Sequence, residues 1–146
     1  VFSDEHITII KDAAVRHGPR SIAIVDFLHR TGVRISEMVA LDRSDIDFQD
    51  RQCIVYGKGR KERPVYFSGD AAVHLRDYLK SRTDNNPALF VGLRKPFNRL
   101  SDDAVRLILR EIRDMDDRLA GIAINPHKWR RQFVTELLEI WLVIRI

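Results

Sequence analysis

The sequence predicts an α+β fold, mainly α, in which helices enclose a small three-stranded antiparallel sheet. Three observations predict it. Apolar residues recur every three or four positions in the first and last thirds of the chain, the spacing of amphipathic helices. The middle carries two β-rich runs, Cys53-Ile54-Val55-Tyr56 and Pro64-Val65-Tyr66-Phe67. A turn of glycine and charge, Gly57-Lys58-Gly59-Arg60-Lys61-Glu62, joins those runs. At 146 residues, 45% hydrophobic and 32% charged, the chain can bury a core as one domain.

The elements follow in order. Ser3 is an N-cap, with Asp4 and Glu5 in the first turn of a helix carrying Ile7, Ile10 and Ala14. Gly18-Pro19 breaks it. A second helix carries Ile22, Val25, Phe27 and Leu28, and Gly32 sits just past its end, where a left-handed residue is wanted. Ser36 and Glu37 open a short third helix with Met38, Val39 and Leu41. Ile46 and Phe48 then alternate with Asp45 and Asp47, and are read as the first strand. The two β-rich runs supply the others, with Tyr56 and Tyr66 packed beside the basic hairpin tip. A helix with Ala71, Val73, Leu75, Tyr78 and Leu79 comes next, and Ala88-Leu89-Phe90-Val91 is a short apolar segment of strand character. Ser101 caps a helix whose apolar side is Ala104, Leu107, Ile108, Ile112 and Met115; the opposite face bears Arg106, Arg110, Arg113 and Asp117 and reads as a solvated face rather than a DNA face. Asn125-Pro126 starts the last helix, with Trp129, Phe133, Leu137 and Trp141 along one stripe.

Several classes are excluded. No apolar run reaches the roughly 20 residues of a membrane-spanning helix, so no membrane partner is expected. Val1-Phe2-Ser3-Asp4-Glu5 has neither the basic nor the apolar region of a secretory leader. The single cysteine, Cys53, forms no internal disulfide and points to an intracellular protein. The five histidines are scattered without metal-ligand spacing, and Gly57-Lys58-Gly59 does not lead into a helix as a nucleotide phosphate loop does. Neither a metal nor a cofactor is expected.

The net charge is +4, and its distribution says more than its size. Residues 1–50 hold 6 Lys+Arg and 9 Asp+Glu, residues 51–100 hold 11 and 4, and residues 101–146 hold 8 and 8. The basic excess falls on the middle third, the footprint of a phosphate-backbone binder or of a well-solvated surface.

Three features carry chemistry. Arg34, in Thr31-Gly32-Val33-Arg34-Ile35-Ser36-Glu37, lies in a tight connection between helices, where it can grip a phosphate, cap the preceding helix or pair with Glu37. Lys58 stands on the hairpin tip, able to reach a DNA groove and act as a general acid, or simply to solvate the turn. His127 and Arg130 share a face at the start of the last helix, an oxyanion site or incidental basic residues.

Taken together, in this order and spacing, these motifs resemble the tyrosine recombinase family, the phage-type integrases. The matching text includes residues 31–37, Leu41-Asp42-Arg43-Ser44-Asp45-Ile46-Asp47, Gly57-Lys58-Gly59-Arg60-Lys61-Glu62-Arg63, the run from His127 to Arg130, and Thr135-Glu136-Leu137-Leu138-Glu139. The resemblance implies that Arg34 and Arg130 hold the scissile phosphate, that His127 contacts it and assists proton transfer, and that Lys58 protonates the departing 5′ oxygen. It implies that Glu37 supports the first arginine. Arg60, Lys61, Lys128 and Arg131 are expected DNA contacts. The implied activity is site-specific recombination of double-stranded DNA through a 3′-phosphotyrosyl intermediate, in a synaptic tetramer of recombinase subunits, at the nucleoid in the cytoplasm. The type IB topoisomerases share the catalytic set but match the motif text less well.

One part of the pattern is missing. The family places a further His or Trp and then the nucleophilic Tyr after H-x-x-R, yet the 16 residues after Arg130 contain no His and no Tyr. Trp141 comes too early for that place, and the last tyrosine is Tyr78. Residues 1–139 therefore read as an incomplete recombinase catalytic domain and residues 140–146 as an atypical apolar tail, with a frameshift, a premature stop or truncation as the expected cause. A helical core-binding domain is expected upstream. The alternatives are a non-catalytic DNA-binding remnant or regulator of recombination, and an enzyme that receives its tyrosine from a neighbouring subunit.

Overall fold

In the computed structural model, residues 1–145 are described; Ile146, the end of the expected tail, lies outside the described residues. The chain runs α1 (Asp4–His17), α2 (Pro19–Thr31), α3 (Ile35–Val39), β1 (Gln52–Tyr56), β2 (Glu62–Tyr66), α4 (Gly69–Ser81), α5 (Asp102–Asp114) and α6 (Pro126–Arg145). Side-chain caps define the helix starts. Ser3 accepts from His6 N–H, Ser68 from Ala71 N–H and Ser101 from Ala104 N–H, each satisfying one of the donors a helix start leaves open.

Helix α2 is the axis of the domain. Ile22, Ala23, Ile24, Val25, Phe27 and Leu28 are all buried, and α1, α4, α5 and α6 pack around it. A helix apolar on nearly every side is one surrounded by others, and each large side chain so buried contributes about 1.5–3 kcal/mol. Phe27 meets the Phe67 and Phe90 rings, and Phe90 stacks on Tyr78 at 5.5 Å. One buried charge ties the packing together: Asp26 on α2 pairs with Lys11 on α1 and bonds His74 on α4.

The sheet has two strands, not three. β1 and β2 pair antiparallel from Gln52 opposite Tyr66 to Tyr56 opposite Glu62. Residues 46–48 make one bridge only, because Asp47 and Gln52 exchange both backbone hydrogen bonds across a tight turn (2.9 and 3.1 Å). The aspartates that suggested alternation are turn-makers instead. Asp45 accepts from Asp42 N–H and Asp47 from Asp50 N–H, which competes with strand pairing.

The hairpin also corrects the reading of its tyrosines. Cys53, Val55 and Val65 face the core, so the alternate positions Ile54, Tyr56 and Tyr66 face solvent; both tyrosines are about three-fifths exposed. Residues 88–91 are fully buried but form only isolated bridges, Asp42 to Ala88 and Val91 to Arg99. Within the helices, Val73 and Leu107 lie on exposed faces, and the buried line of α5 is Val105, Ile108, Leu109 and Ile112. Arg106 pairs with Asp103 and Arg113 with Asp114 on the solvated side. Helix α6 continues without a break to Arg145. Its expected stripe is buried only at Trp129; Leu137 and Trp141 are exposed.

Candidate functional site

The site begins with a glycine. Gly32 ends α2 at φ 66°, and its N–H returns to Leu28 O at 3.1 Å. That left-handed conformation strains any residue with a side chain, and a methyl group built there would overlap the Phe133 ring of α6. The sequence requires glycine here twice, once to turn the chain and once to admit α6. Thr31 Oγ1 bonds Phe27 O at 2.6 Å and accepts from Val33 N–H at 3.3 Å, so the turn is fixed on both sides.

Arg34 follows in extended conformation as the N-cap of α3. Its backbone N–H donates to Glu37 Oε1 at 2.8 Å. Its side chain is exposed, and the guanidinium makes no hydrogen bond or ion pair among the described residues. Glu37 is buried, and it pairs not with the Arg34 side chain but with the forked guanidinium of Arg63 on β2, one bond at 3.0 Å and the other shorter. Burial pushes the Glu37 carboxyl up, but the Arg63 hydrogen bonds and the Arg34 N–H outweigh it and hold the group below its ordinary range. One carboxylate thus anchors the backbone of Arg34 and the base of the hairpin.

Arg130 arrives from the far end of the chain. Its Nη1 donates to Gly32 O at 2.6 Å, two residues from Arg34. Burial draws the Arg130 proton affinity below its ordinary value, and the neighbouring Arg34 charge acts the same way. An arginine stays charged regardless, so Arg130 on the Gly32 carbonyl and Arg34 two residues on both remain cations, while Glu37 is taken up by Arg63. Such a cluster favours an anion between or beside its members.

Lys58 shares a surface depression of about 520 Å³ with Arg34, Ser36, Glu37, Tyr56 and Gly57. The hairpin tip that carries it is a single tight turn, with Gly57 N–H bonded to Lys61 O at 2.9 Å and positive φ at Gly59 (73°) and Arg60 (60°). Lys58, Arg60 and Lys61 are exposed there. His127, Arg130 and Arg131 line a separate open depression of about 810 Å³ with Val134 and Thr135. The structure therefore puts Arg34 and Lys58 in one depression and bonds Arg130 to the Gly32 carbonyl two residues from Arg34, while His127 and Lys58 line different depressions. Lys128 turns away from both, its ammonium over the Phe2 ring at 4.4 Å.

Sequence reasoning missed Arg63. It stands at the end of the hairpin motif, and its signal was available: an acid as buried as Glu37 requires a cation. It also missed the ties that seat α6, where Gln132 accepts from Phe2 N–H at 2.8 Å and Glu136 meets His29. Cys53 has no part in the site. It is buried, and burial pushes its thiol up to about 12.

Residues 3–142 match the model of the family described as the phage integrase family. Tyrosine recombinase XerA of Pyrococcus furiosus is 35% identical over 146 residues, covering 99% of this chain and 50% of that protein. Tyrosine recombinase XerC of Corynebacterium glutamicum is 36% identical over 127 residues, covering 82% of this chain and 38% of that protein. The chain thus spans half or less of the length of these relatives. Among solved structures, that of XerA recombinase superposes with a TM-score of 0.78 at 29% identity, covering 94% of this chain and 50% of that one. The Tn1549 transposon integrase in complex with a circular intermediate DNA shares the fold at a TM-score of 0.75 and 16% identity, covering 93% of this chain and 52% of that one.

Proposed function

The chain belongs to the phage integrase family of tyrosine recombinases, and on that premise we propose that it is the phosphate-gripping part of a DNA-recombination domain, binding double-stranded DNA through Arg34, Lys58, His127 and Arg130. One contact supports this reading above the rest. Arg130 donates to Gly32 O, so two arginines nearly a hundred residues apart meet at one turn. Fixed cations aimed at one spot are what a phosphate gaining negative charge in its transition state needs, because they need not reorganise as the charge develops. Lys58 lines the same depression as Arg34, which supports its role as the acid that protonates a departing 5′ oxygen. Glu37 supports the arrangement through Arg34 N–H and Arg63, and Arg60, Lys61 and Arg131 add backbone contacts that position without reading sequence. The partners are duplex DNA and further recombinase subunits.

In this class of reaction a tyrosine oxygen attacks the phosphorus, the 5′ oxygen leaves with a proton, and the 3′-phosphotyrosyl link keeps the bond energy for rejoining. No tyrosine follows Tyr78 in these 146 residues. The chain alone therefore binds the phosphate and does not cut. A non-catalytic regulator of recombination is the second reading, in which the same cations hold a phosphate that is not cut. Mixing the chain with a partner that carries the tyrosine but lacks the arginines separates the two: restored cleavage of a suicide duplex supports the recombinase, and none supports the regulator.

The direct test is duplex affinity across a salt series for Arg34→Ala and Arg130→Ala. Each is expected to weaken binding and to lower the slope of log affinity against log salt by about one phosphate contact. Unchanged affinity and slope in both variants would overturn the assignment.

A further inference from the structure

One buried polar cluster lies outside the phosphate grip. His29, on the last turn of α2, is buried, and its Nε2 lies 2.9 and 3.0 Å from the two carboxylate oxygens of Glu136 on α6. An ionised carboxylate only accepts, so Nε2 carries the hydrogen and donates. His29 Nδ1 is buried with no partner among the described residues, and a proton there would be an N–H without an acceptor. Burial accordingly holds the imidazole below its ordinary value; Glu136 opposes that, while Lys11 on α1 and Arg30 on α2 reinforce it. His29 is thus a neutral, directional donor rather than half of an ion pair.

Glu136 also accepts from Gln132 Nε2 at 2.9 Å, and Gln132 accepts from Phe2 N–H. A continuous path of hydrogen bonds therefore joins the N-terminal segment, α6 and α2. Arg130, Phe133 and Glu136 stand three apart on α6 and face the end of α2: one bonds Gly32, one presses on it, one meets His29. From Leu137 to Arg145 every residue of the helix is exposed, and among the described residues the His29 bond is the last side-chain hydrogen bond between α6 and the body of the protein. Apolar contacts at Trp129 and Phe133 resist separation of the helices but tolerate a small rotation. A hydrogen bond with a fixed direction does not.

We propose that His29 and Glu136 are positioning residues for Arg130: their bond sets the rotation of α6 about its own axis and so keeps the Arg130 guanidinium on the Gly32 carbonyl, beside Arg34. The bond is local chemistry on the free protein; only its effect on DNA rests on the function proposed above.

The experiment has two readouts. In the free protein, side-chain NMR of the Arg130 guanidinium is expected to show resolved, slowly rotating Nη–H signals in the wild type and in His29→Gln, which keeps a donor. In His29→Leu those signals collapse to an averaged line while the chain still melts cooperatively. Resolved signals in His29→Leu would overturn the proposal. Should that variant fail to fold, Glu136→Ala, at a part-exposed position, carries the same expectation. In duplex binding, His29→Leu is expected to lose about fivefold affinity, with no further loss when Arg130→Ala is already present. An equal loss in both backgrounds would mean a general structural effect and would also overturn it. If Arg130→Ala alone leaves binding unchanged, the proposed function fails, and the NMR readout still decides the role of His29.

Discussion

The two halves of α6 share a helix but not a fate. From Pro126 to Glu136 the helix is seated: Trp129 is fully buried against Phe2 and His29, Arg130 and Phe133 engage Gly32, and Gln132 and Glu136 are hydrogen-bonded. From Leu137 onward Leu138, Ile140, Trp141, Leu142, Val143 and Ile144 are each more than half exposed. The seated half is held largely by polar and glycine contacts, and the bare half is the more apolar. Apolar composition supplies a tendency to be covered; what covers a helix is decided by the surface placed opposite it.

The largest expected effect lies at the seated end. Trp129→Ala opens a cavity beside Phe2 and should cost about 3–5 kcal/mol in urea unfolding. If it costs no more than Trp141→Ala, the contrast between the halves is broken. Gly32→Ala comes next: left-handed strain and the overlap with Phe133 together should cost about 2–4 kcal/mol and weaken duplex binding, since both arginines hang on that turn.

Acidity sharpens the comparison. Burial pushes Glu136 up, but the bonds from His29 and Gln132 outweigh it and hold it below its ordinary value of 4.5. A carboxyl depressed on folding lends stability that is present above 4.5 and is lost as pH falls through its lower folded value. His29, also held low, remains neutral in the folded chain, so acid below its ordinary value of 6.5 favours unfolding too. Urea midpoints measured from pH 7 downward should therefore fall, and Glu136→Gln should flatten the descent at its acidic end; an unchanged profile in that variant would remove the acid from the account. The smallest effect belongs to the bare half, where Trp141→Ala should change stability by no more than about 0.5 kcal/mol.

Much of the fold was legible because it rests on local rules. Ser3, Ser101 and Gly32 announced helix ends through capping and left-handed turn chemistry, and α2 was legible as a largely apolar helix. The third strand failed because aspartates at Asp45 and Asp47 serve turns as readily as they punctuate a strand. The stripe on α6 failed beyond Phe133 because periodicity states which residues share a face, not whether anything lies opposite. In the candidate site, Arg34, Lys58 and Arg130 were proposed by motif; Arg34 and Lys58 line one depression, and Arg130 bonds Gly32 O two residues from Arg34. The partners Arg63, His29 and Glu136 were not found, since a pairing across many residues leaves no local pattern; only the demand of a buried charge for an opposite one could have pointed to them.

The carboxylate of Glu37 holds Arg34 N–H with one oxygen and spans the Arg63 guanidinium with both. The turn bearing the first arginine and the ribbon bearing the lysine therefore share a single hinge pin. Neither can drift while the other stays in register. Damage at this pin is expected to loosen the Arg34 turn and the Lys58 ribbon together, while Arg130 keeps its own bond to Gly32 O.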